Sequence, residues 1–452
     1  MTHPASSAIT ESTTSNNLLP KPRTIEQTGI PSRLLESLLL KHLSQAIDLD
    51  VPHISRSMAL PGNLIDILAQ KLKAEALVEV RSDLRIDKGI RYALTKKGML
   101  YAQHELQRDG YLGPTPIPLS LYKKIVTSQS LNKESVTPDS LKKGLSDLIL
   151  PEKLIGQLGP ALNSGRAIFI YGLPGTGKTY VSRRLVRMFK SNIYIPYSVC
   201  IGHQILQVYD PILHEKVNSA PITQGITSAP SLRLDSGHDE RLLLCKRPEV
   251  VVGGELTDKM FEVSYDLAHK INRAPLQMKA NNGIFLIDDL GRQRVSVDTI
   301  LNRWIVPLEE KIDYLAMASG EHFDIPFEQV LVFSSNIHPA KLADDAFLRR
   351  IGYKIEFEPI SVNDYQYLWQ QQALLHGLNI PSESLNHVID TLHKNYNIPL
   401  LPCYPRDLVT MCRNQIDFFQ LDKHITPSLI NSVWGSYFVD RAEHDVLGGT
   451  HG

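Results

Sequence analysis

The stretch Tyr171-Gly172-Leu173-Pro174-Gly175-Thr176-Gly177-Lys178-Thr179-Tyr180 decides how this chain is read. Gly172, four residues and then Gly177-Lys178-Thr179 match the phosphate-cradling pattern G-x-x-x-x-G-K-[ST]. Before it, Ala167-Ile168-Phe169-Ile170 reads as a buried strand, and over 181–189 apolar residues recur at helical spacing. Strand, glycine loop and helix form the setting in which successive backbone N–H groups point at phosphates. Glycine is required because a Cβ would block that approach. Lys178 adds a positive charge for the terminal phosphates, and Thr179 offers a hydroxyl to a Mg2+ ion. Gly172, Pro174, Gly175, Thr176, Gly177, Lys178 and Thr179 are therefore the expected nucleotide-binding residues.

Downstream, Ile284-Phe285-Leu286-Ile287 is a second apolar run, and it ends in Asp288-Asp289. Carboxylates at the C-terminal end of a buried parallel strand suit a metal beside the loop. Asp288 is expected to hold that metal through water, together with Thr179, and Asp289 to orient and polarise the attacking water. A third run, Val330-Leu331-Val332-Phe333, leads into Ser334-Ser335-Asn336, which places Asn336 to reach a γ-phosphate and its water. Residues 344–351 read as a helix ending in Arg349 and Arg350. Tyr404-Pro405-Arg406-Asp407 opens a later helix, with proline in its first turn.

In this order, over about 140–440, these pieces resemble the AAA+ ATPases. The resemblance implies Walker A at 172–179, Walker B at 284–289, sensor 1 at Asn336 and sensor 2 at Arg406. It also implies an arginine finger at Arg350, or alternatively Arg349. The fold implied is α/β, a P-loop AAA+ parallel sheet flanked by helices and followed by a C-terminal helical lid. Helical patterns over 362–376, 384–396, 406–419 and 427–437 would build that lid. The implied cofactors are ATP and Mg2+, and the implied reaction is hydrolysis of ATP to ADP and phosphate. An arginine finger reaches the nucleotide of the next subunit, so a homo-oligomer, a hexameric ring, is implied as well. The segment 314–326, turning at Ser319-Gly320, is similar to the pre-sensor-1 hairpin of the MoxR-like branch. The arrangement also looks like bacterial proteins described only as "ATPase with chaperone activity".

Two features depart from that pattern. Asp289 stands where most of the family has Glu, a shorter arm that implies slower hydrolysis or a differently placed water. The interval from Lys178 to Asp288 exceeds what the fold needs, so an insertion is expected within 200–282. It has a turn at Gly253-Gly254 and a polar tract over 218–236. In the family such a region supplies pore loops or a substrate-contacting insert, and no aromatic pore motif is legible here. Cys200, His203, His214, His238 and Cys245 gather in it, and Cys200-x-x-His203 has the spacing of a zinc half-site. Loop histidines are more often simply solvated.

Residues 1–28, rich in Ser, Thr, Asn and Pro, are expected to be a disordered tail. Over 29–112 the patterns give helices at 31–46, 54–58 and 64–77, and strands at 78–80 and 90–94 around a turn at 83–89. A last helix follows Thr95-Lys96-Lys97-Gly98. Together they resemble a winged helix-turn-helix domain, whose third helix would read the groove if DNA were bound. Yet 31–110 holds twelve Lys and Arg against ten Asp and Glu, and Asp66 and Glu75 stand beside Lys71 and Lys73. A groove reader shows a clearer basic face, so DNA binding and protein docking both stay open for 29–112. Residues 113–140 read as a linker, 141–358 as the ATPase domain and 359–452 as lid and tail, frayed from 447.

The balance of 48 Lys and Arg against 48 Asp and Glu exerts no global pull toward nucleic acid or anionic lipid. No apolar run is long enough to span a bilayer, and the start Met1-Thr2-His3-Pro4 lacks a signal peptide's core. Cys200, Cys245, Cys403 and Cys412 are far apart and form no C-x-x-C, a usage that suits a reducing compartment. A cytoplasmic location without membrane insertion is expected. Three activities compete: ATP-driven, chaperone-like remodelling of a protein client, a DNA-binding ATP-dependent regulator or loader, and a nucleotide-gated switch with negligible turnover. The client itself is not legible.

Overall fold

The computed structural model describes residues 20–81, 90–146, 148, 150–217 and 238–438. Residues 1–19 of the expected tail, the turn at 83–89, the tract over 218–236 and the end from 447 lie outside them.

Apolar strands covered on both faces form parallel sheets, and the three runs read from the sequence do so. The sheet is ordered Glu249–Val252, Ile284–Ile287, Val330–Ser335, Ile168–Gly172, Tyr353–Phe357, with every neighbouring pair parallel. Helices pack against it, giving the expected α/β class. The register sets Ile287 beside Phe333 and Ser335 beside Tyr171, so the ends carrying Asp288, Asn336 and the glycine loop share one edge. Not all of 200–282 is inserted, because Glu249–Val252 is an edge strand of this sheet. Its Val250-Val251-Val252 run is β-branched and pairs with Ile284–Ile287 in this sheet. The helix expected over 181–189 divides into Lys178–Ser182 and a 3-10 turn, Leu185–Met188. Leu185 and Met188 are both buried, and a spacing of three stacks them on one face of such a turn.

The remainder of the insertion forms a second, mixed sheet, ordered Ser264–Asp266, Ile271–Arg273, Gln204–Gln207, Ser198–Ile201, Ile117–Pro118. Its last strand lies in the expected linker. Residues 113–140 are not a free tether, because Ile117–Pro118 pairs with Val199 and Cys200 and Leu119–Ser128 is a helix. That helix buries Tyr122, Ile125 and Val126 against Val199 and Leu206. The expected hairpin is present as Ile312–Ala316 and His322–Pro326. Leu315, Met317, Phe323 and Ile325 join the same core, and Ser319 at the tip accepts from Gln204 Nε2 at 2.6 Å.

In the N-terminal part, helices Ser32–Leu43, Val51–Met58, Gly62–Ala74 and Lys96–Arg108 surround a small antiparallel sheet. Arg91–Leu94 is its central strand, between Leu49–Asp50 and Val78–Arg81. A Cβ on Gly98 would fall 1.9 Å from the Leu77 carbonyl oxygen, so only glycine lets the last helix approach so closely. Part of the expected tail is ordered too. Thr28 is fully buried, and its carbonyl accepts from Arg241 Nη1 at 2.8 Å. Arg241 also pairs with Asp239 at 2.7 Å and donates to the Pro116 carbonyl, so the hydrogen bonds of one buried guanidinium tie the insertion to the N-terminal part.

The C-terminal part consists of Val362–Leu375, Ser382–Asn386 continued by the π-helical turn His387–His393, Cys403–Phe419 and Pro427–Tyr437. Trp369, Trp434, Tyr365 and His393 lie at its centre. Among the described residues, no helix is long and apolar enough to cross a membrane.

Three buried histidines occupy separate cores. His42 faces the Gly113 carbonyl, His214 accepts from the Asp210 N–H and faces the Lys279 carbonyl, and His393 lies between the Tyr365 hydroxyl and the Ile398 carbonyl. Burial lowers the pKa of each, although the facing carbonyls oppose the shift. Because the folded values lie below the ordinary one, the unfolded chain takes up the proton first. Stability is therefore intact above about pH 6.5 and falls as the pH drops below it. Calorimetric melting at pH 7.5 and 5.5 should show a lower midpoint at 5.5, and equal midpoints would contradict this.

Candidate functional site

Five side chains, two following the glycine loop and three at two strand ends, meet behind that loop. Lys178 is only 5% exposed, and its Nζ donates to the carbonyls of Gly172 and Leu173 at 3.0 and 2.8 Å. Its third bond is to Asn336 Oδ1 at 2.8 Å. The Asn336 amide in turn donates to Asp289 Oδ1 at 3.0 Å. Thr179 Oγ1 donates to Asp288 Oδ1, also at 3.0 Å. The sequence-predicted residues on the loop and on both strand ends are thus brought into one hydrogen-bonded network.

The backbone of the loop explains its glycines. Gly172, Gly175 and Gly177 have φ of 145°, 87° and 90°, which side chains disfavour. A Cβ on Gly172 would lie 2.3 Å from the Phe357 carbonyl oxygen, and one on Gly175 2.5 Å from Cys403 Sγ. A Cβ on Gly177 would meet nothing within 4 Å. The loop is held at its first two glycines and open at the third, which leaves an approach to its N–H groups that a side chain would occupy. Burial lowers the Lys178 pKa, while the Asp289 and Asp288 carboxylates favour its charge.

Asp289 has φ of 51°, the left-handed region, at a cost of roughly 1–2 kcal/mol. Several bonds hold it there. Its N–H donates to Asp288 Oδ1, and its carbonyl accepts from the Arg292 N–H and from Gln293 Nε2. The same Gln293 amide donates to the Asp288 carbonyl at 2.8 Å. Gln293 was not singled out from the sequence, and a lone Gln after Gly291-Arg292 gives no pattern by which to find it.

The arginines are placed differently from one another. Asp344 caps the helix Asp345–Arg350 by accepting from the Phe347 N–H. Arg350 Nε lies 2.7 Å from Glu309 Oε1, and its Nη1 donates to the Ala346 carbonyl. Arg349 is exposed and meets no hydrogen-bond or ion-pair partner among the described residues. Arg406 is also exposed, and its Nε donates to Asp407 Oδ1 at 2.9 Å. It sits one helical turn beyond Cys403, the residue that abuts Gly175.

Thr179 and Asp288 offer a hydroxyl and a carboxylate, the oxygen donors that suit Mg2+, which otherwise keeps water and phosphate ligands. The zinc half-site fares differently. Cys200 Sγ bonds the Gly202 carbonyl, and burial pushes its thiol up to about 11. His214 spends both ring nitrogens on backbone groups. Among the described residues, no cluster of three or more His, Cys, Asp or Glu could hold a metal.

Residues 361–436, the helical C-terminal part, match a family described as "Domain of unknown function (DUF8689)". No curated protein matches the chain. Among solved structures, the chain is similar to NtrX from Brucella abortus in complex with ADP, at 14% identity and a TM-score of 0.40. That likeness covers 78% of this chain and 70% of the other. It is also similar to the Thermotoga maritima RuvB Holliday junction branch migration motor, at 13% identity and a TM-score of 0.35. There the coverage is 70% of this chain and 74% of the other.

Asn336 joins the two halves of the network, so Asn336→Leu keeps its bulk and removes both bonds. Lys178 then keeps two acceptors of three, and Asp289 loses its side-chain donor. The variant should lose about 1–2 kcal/mol of stability in the absence of nucleotide. Urea unfolding would measure this, and an unchanged midpoint would show that the network is not formed.

Proposed function

We propose that this chain is an AAA+ ATPase that hydrolyses ATP with Mg2+ to drive remodelling of a protein client or complex. The observation that supports this best is the network joining Lys178 to Asn336 and Asp289, beside the Thr179–Asp288 pair. Each residue then has one task. Gly172, Pro174, Gly175, Thr176 and Gly177 shape the loop around the phosphates, and Lys178 turns its ammonium from the loop carbonyls to the terminal phosphates. Thr179 and Asp288 would hold Mg2+, which supplies charge neutralisation on the phosphates. Asp289, fixed by Asn336, orients and polarises the attacking water. Arg406 serves as sensor 2 from the lid.

Of the two candidate fingers, Arg349 is the free guanidinium and Arg350 is engaged within its own chain. We therefore assign the finger to Arg349 and a bracing role to Arg350, the reverse of the sequence preference. Such a finger acts on the nucleotide of a neighbouring copy, in a homo-oligomeric, hexameric ring of cytoplasmic location. Residues 29–112 are assigned a winged-helix fold, and the 312–326 hairpin the role of the MoxR-like pre-sensor-1 hairpin.

Protein docking is favoured over DNA by the third helix, Gly62–Ala74. Lys71 is paired with Glu36, and Asp66 accepts from the Tyr92 hydroxyl, while Ile67 stands 53% exposed. Lys73 is then the one cation on that helix without a partner among the described residues, a poor basis for groove reading. The alternative, a DNA-binding ATP-dependent regulator or loader, requires the full chain to bind duplex DNA with affinity falling steeply with salt.

ATP turnover should rise with protein concentration and vanish in Lys178→Ala. Arg349→Ala should lower it by about a thousandfold or more, and Arg350→Ala by far less. Mixing Arg349→Ala with Asp289→Asn should restore part of the activity, because each protein supplies what the other lacks. A turnover rate per protomer independent of concentration, together with no recovery on mixing of folded variants, would refute the ring.

A further inference from the structure

The two glycines that hold the phosphate loop in place are both held by chain leading into or out of the lid. Gly172 lies against the carbonyl of Phe357, its partner in the sheet register and the last residue of the strand that precedes the lid. Gly175 lies against Cys403 Sγ, with Leu401 Cδ1 at 3.5 Å from the same Cβ position. Leu401 is buried, and Cys403 is the first residue of the third lid helix. The two sides are joined at the hinge, where the Ile360 N–H donates to the Leu400 carbonyl at 3.0 Å.

We infer that Leu401 and Cys403 are positioning residues for ATP turnover, reading the state of the phosphate loop through their contact with Gly175. This rests on the ATPase reading above. The physical reason is the missing side chain. With no Cβ at Gly175, lid atoms bear directly on loop backbone, and a packed contact of this kind transmits displacement rather than absorbing it. Rotation of the lid about the hinge leaves Phe357 fixed in the sheet and carries Cys403 across Gly175. Arg406 moves with it, one turn along the same helix. Its guanidinium is held to Asp407, which also accepts from the Tyr437 hydroxyl at 3.0 Å, so the first turn moves together with the last lid helix. Loop conformation and lid orientation are therefore one coupled variable, set by the thickness of the residue at 403.

The four cysteines provide a built-in readout, because Cys200, Cys245 and Cys412 are buried while Cys403 is partly accessible. In the full chain, saturating Mg2+ and ADP should slow maleimide labelling of Cys403, followed residue by residue by mass spectrometry. Binding of ADP carrying a methylanthraniloyl fluorophore is measured in parallel. Cys403→Phe, which wedges the lid from Gly175, should lower kcat about tenfold or more with nucleotide affinity kept within about threefold. Cys403→Ser should restore kcat. Normal kcat in Cys403→Phe, or unchanged Cys403 labelling while the fluorescent ADP demonstrably binds, overturns the inference and leaves the ATPase reading standing. Failure of the wild-type chain to bind nucleotide ends both. Should Cys403→Phe not fold, the wild-type labelling result decides alone.

Discussion

The buried ammonium of Lys178 is the constraint on which the rest of the site depends. A lysine withdrawn from water to 5% exposure needs acceptors for its three protons, and here they are two loop carbonyls and Asn336. That requirement fixes the loop's curvature, because Gly172 and Leu173 must turn their carbonyls inward while the glycines take positive φ. It also fixes the strand order. Asn336 can reach Lys178 only because Val330–Ser335 lies directly beside Ile168–Gly172. From Asn336 the chain of bonds runs to Asp289, whose strained backbone is stabilised by Gln293 and Arg292.

Around that centre the molecule is joined by a few buried polar ties rather than by flexible connections. The Asp239–Arg241 pair would be costly alone, since desolvation of two charges outweighs much of their attraction. Arg241 offsets that cost by also donating to the Thr28 and Pro116 carbonyls. The N-terminal part, the inserted sheet and the hairpin between the Asp288 and Asn336 strands consequently share packed cores. A displacement of the hairpin, which is continuous with the strand that presents Asn336, meets the inserted sheet directly. The structure thus offers a mechanical route from the glycine loop and its neighbouring strand ends to the N-terminal part that does not depend on a loose linker.

The helical C-terminal part makes the second connection. The strand end that leads into it, Phe357, and its third helix flank the glycine loop at Gly172 and Gly175, and both contacts exist because those residues lack side chains. The arrangement separates two kinds of arginine. Arg350 and Arg406 are partnered within the chain, whereas Arg349 projects without a partner among the described residues. Exposed surface pairs contribute little to stability, so the partnered arginines are restrained in place more than they stabilise the fold.

Much of the site was legible because it is written locally. The glycine spacing of the loop, the apolar runs ending in Asp288-Asp289 and Asn336, and the proline-led lid helices each follow from short-range rules of φ, burial and capping. The hairpin and the four C-terminal helices lie within a few residues of their expected places. By contrast, the sheet membership of Val250-Val251-Val252 is not legible in the sequence, and the composition of 113–140 suggests a linker although the segment is paired and packed. Whether an apolar segment joins a sheet depends on which partner strand lies beside it, and Ile117–Pro118 finds its partner more than eighty residues away in sequence. The support from Gln293, the release of Arg349 rather than Arg350, and the contact of Cys403 with Gly175 are likewise decided by three-dimensional proximity. Residue type and spacing, which are local properties, limit the chemistry that the loop and strand ends can support. Which of those side chains stand free is set by the packing of distant elements, because partnership between residues far apart leaves no periodic trace in the chain.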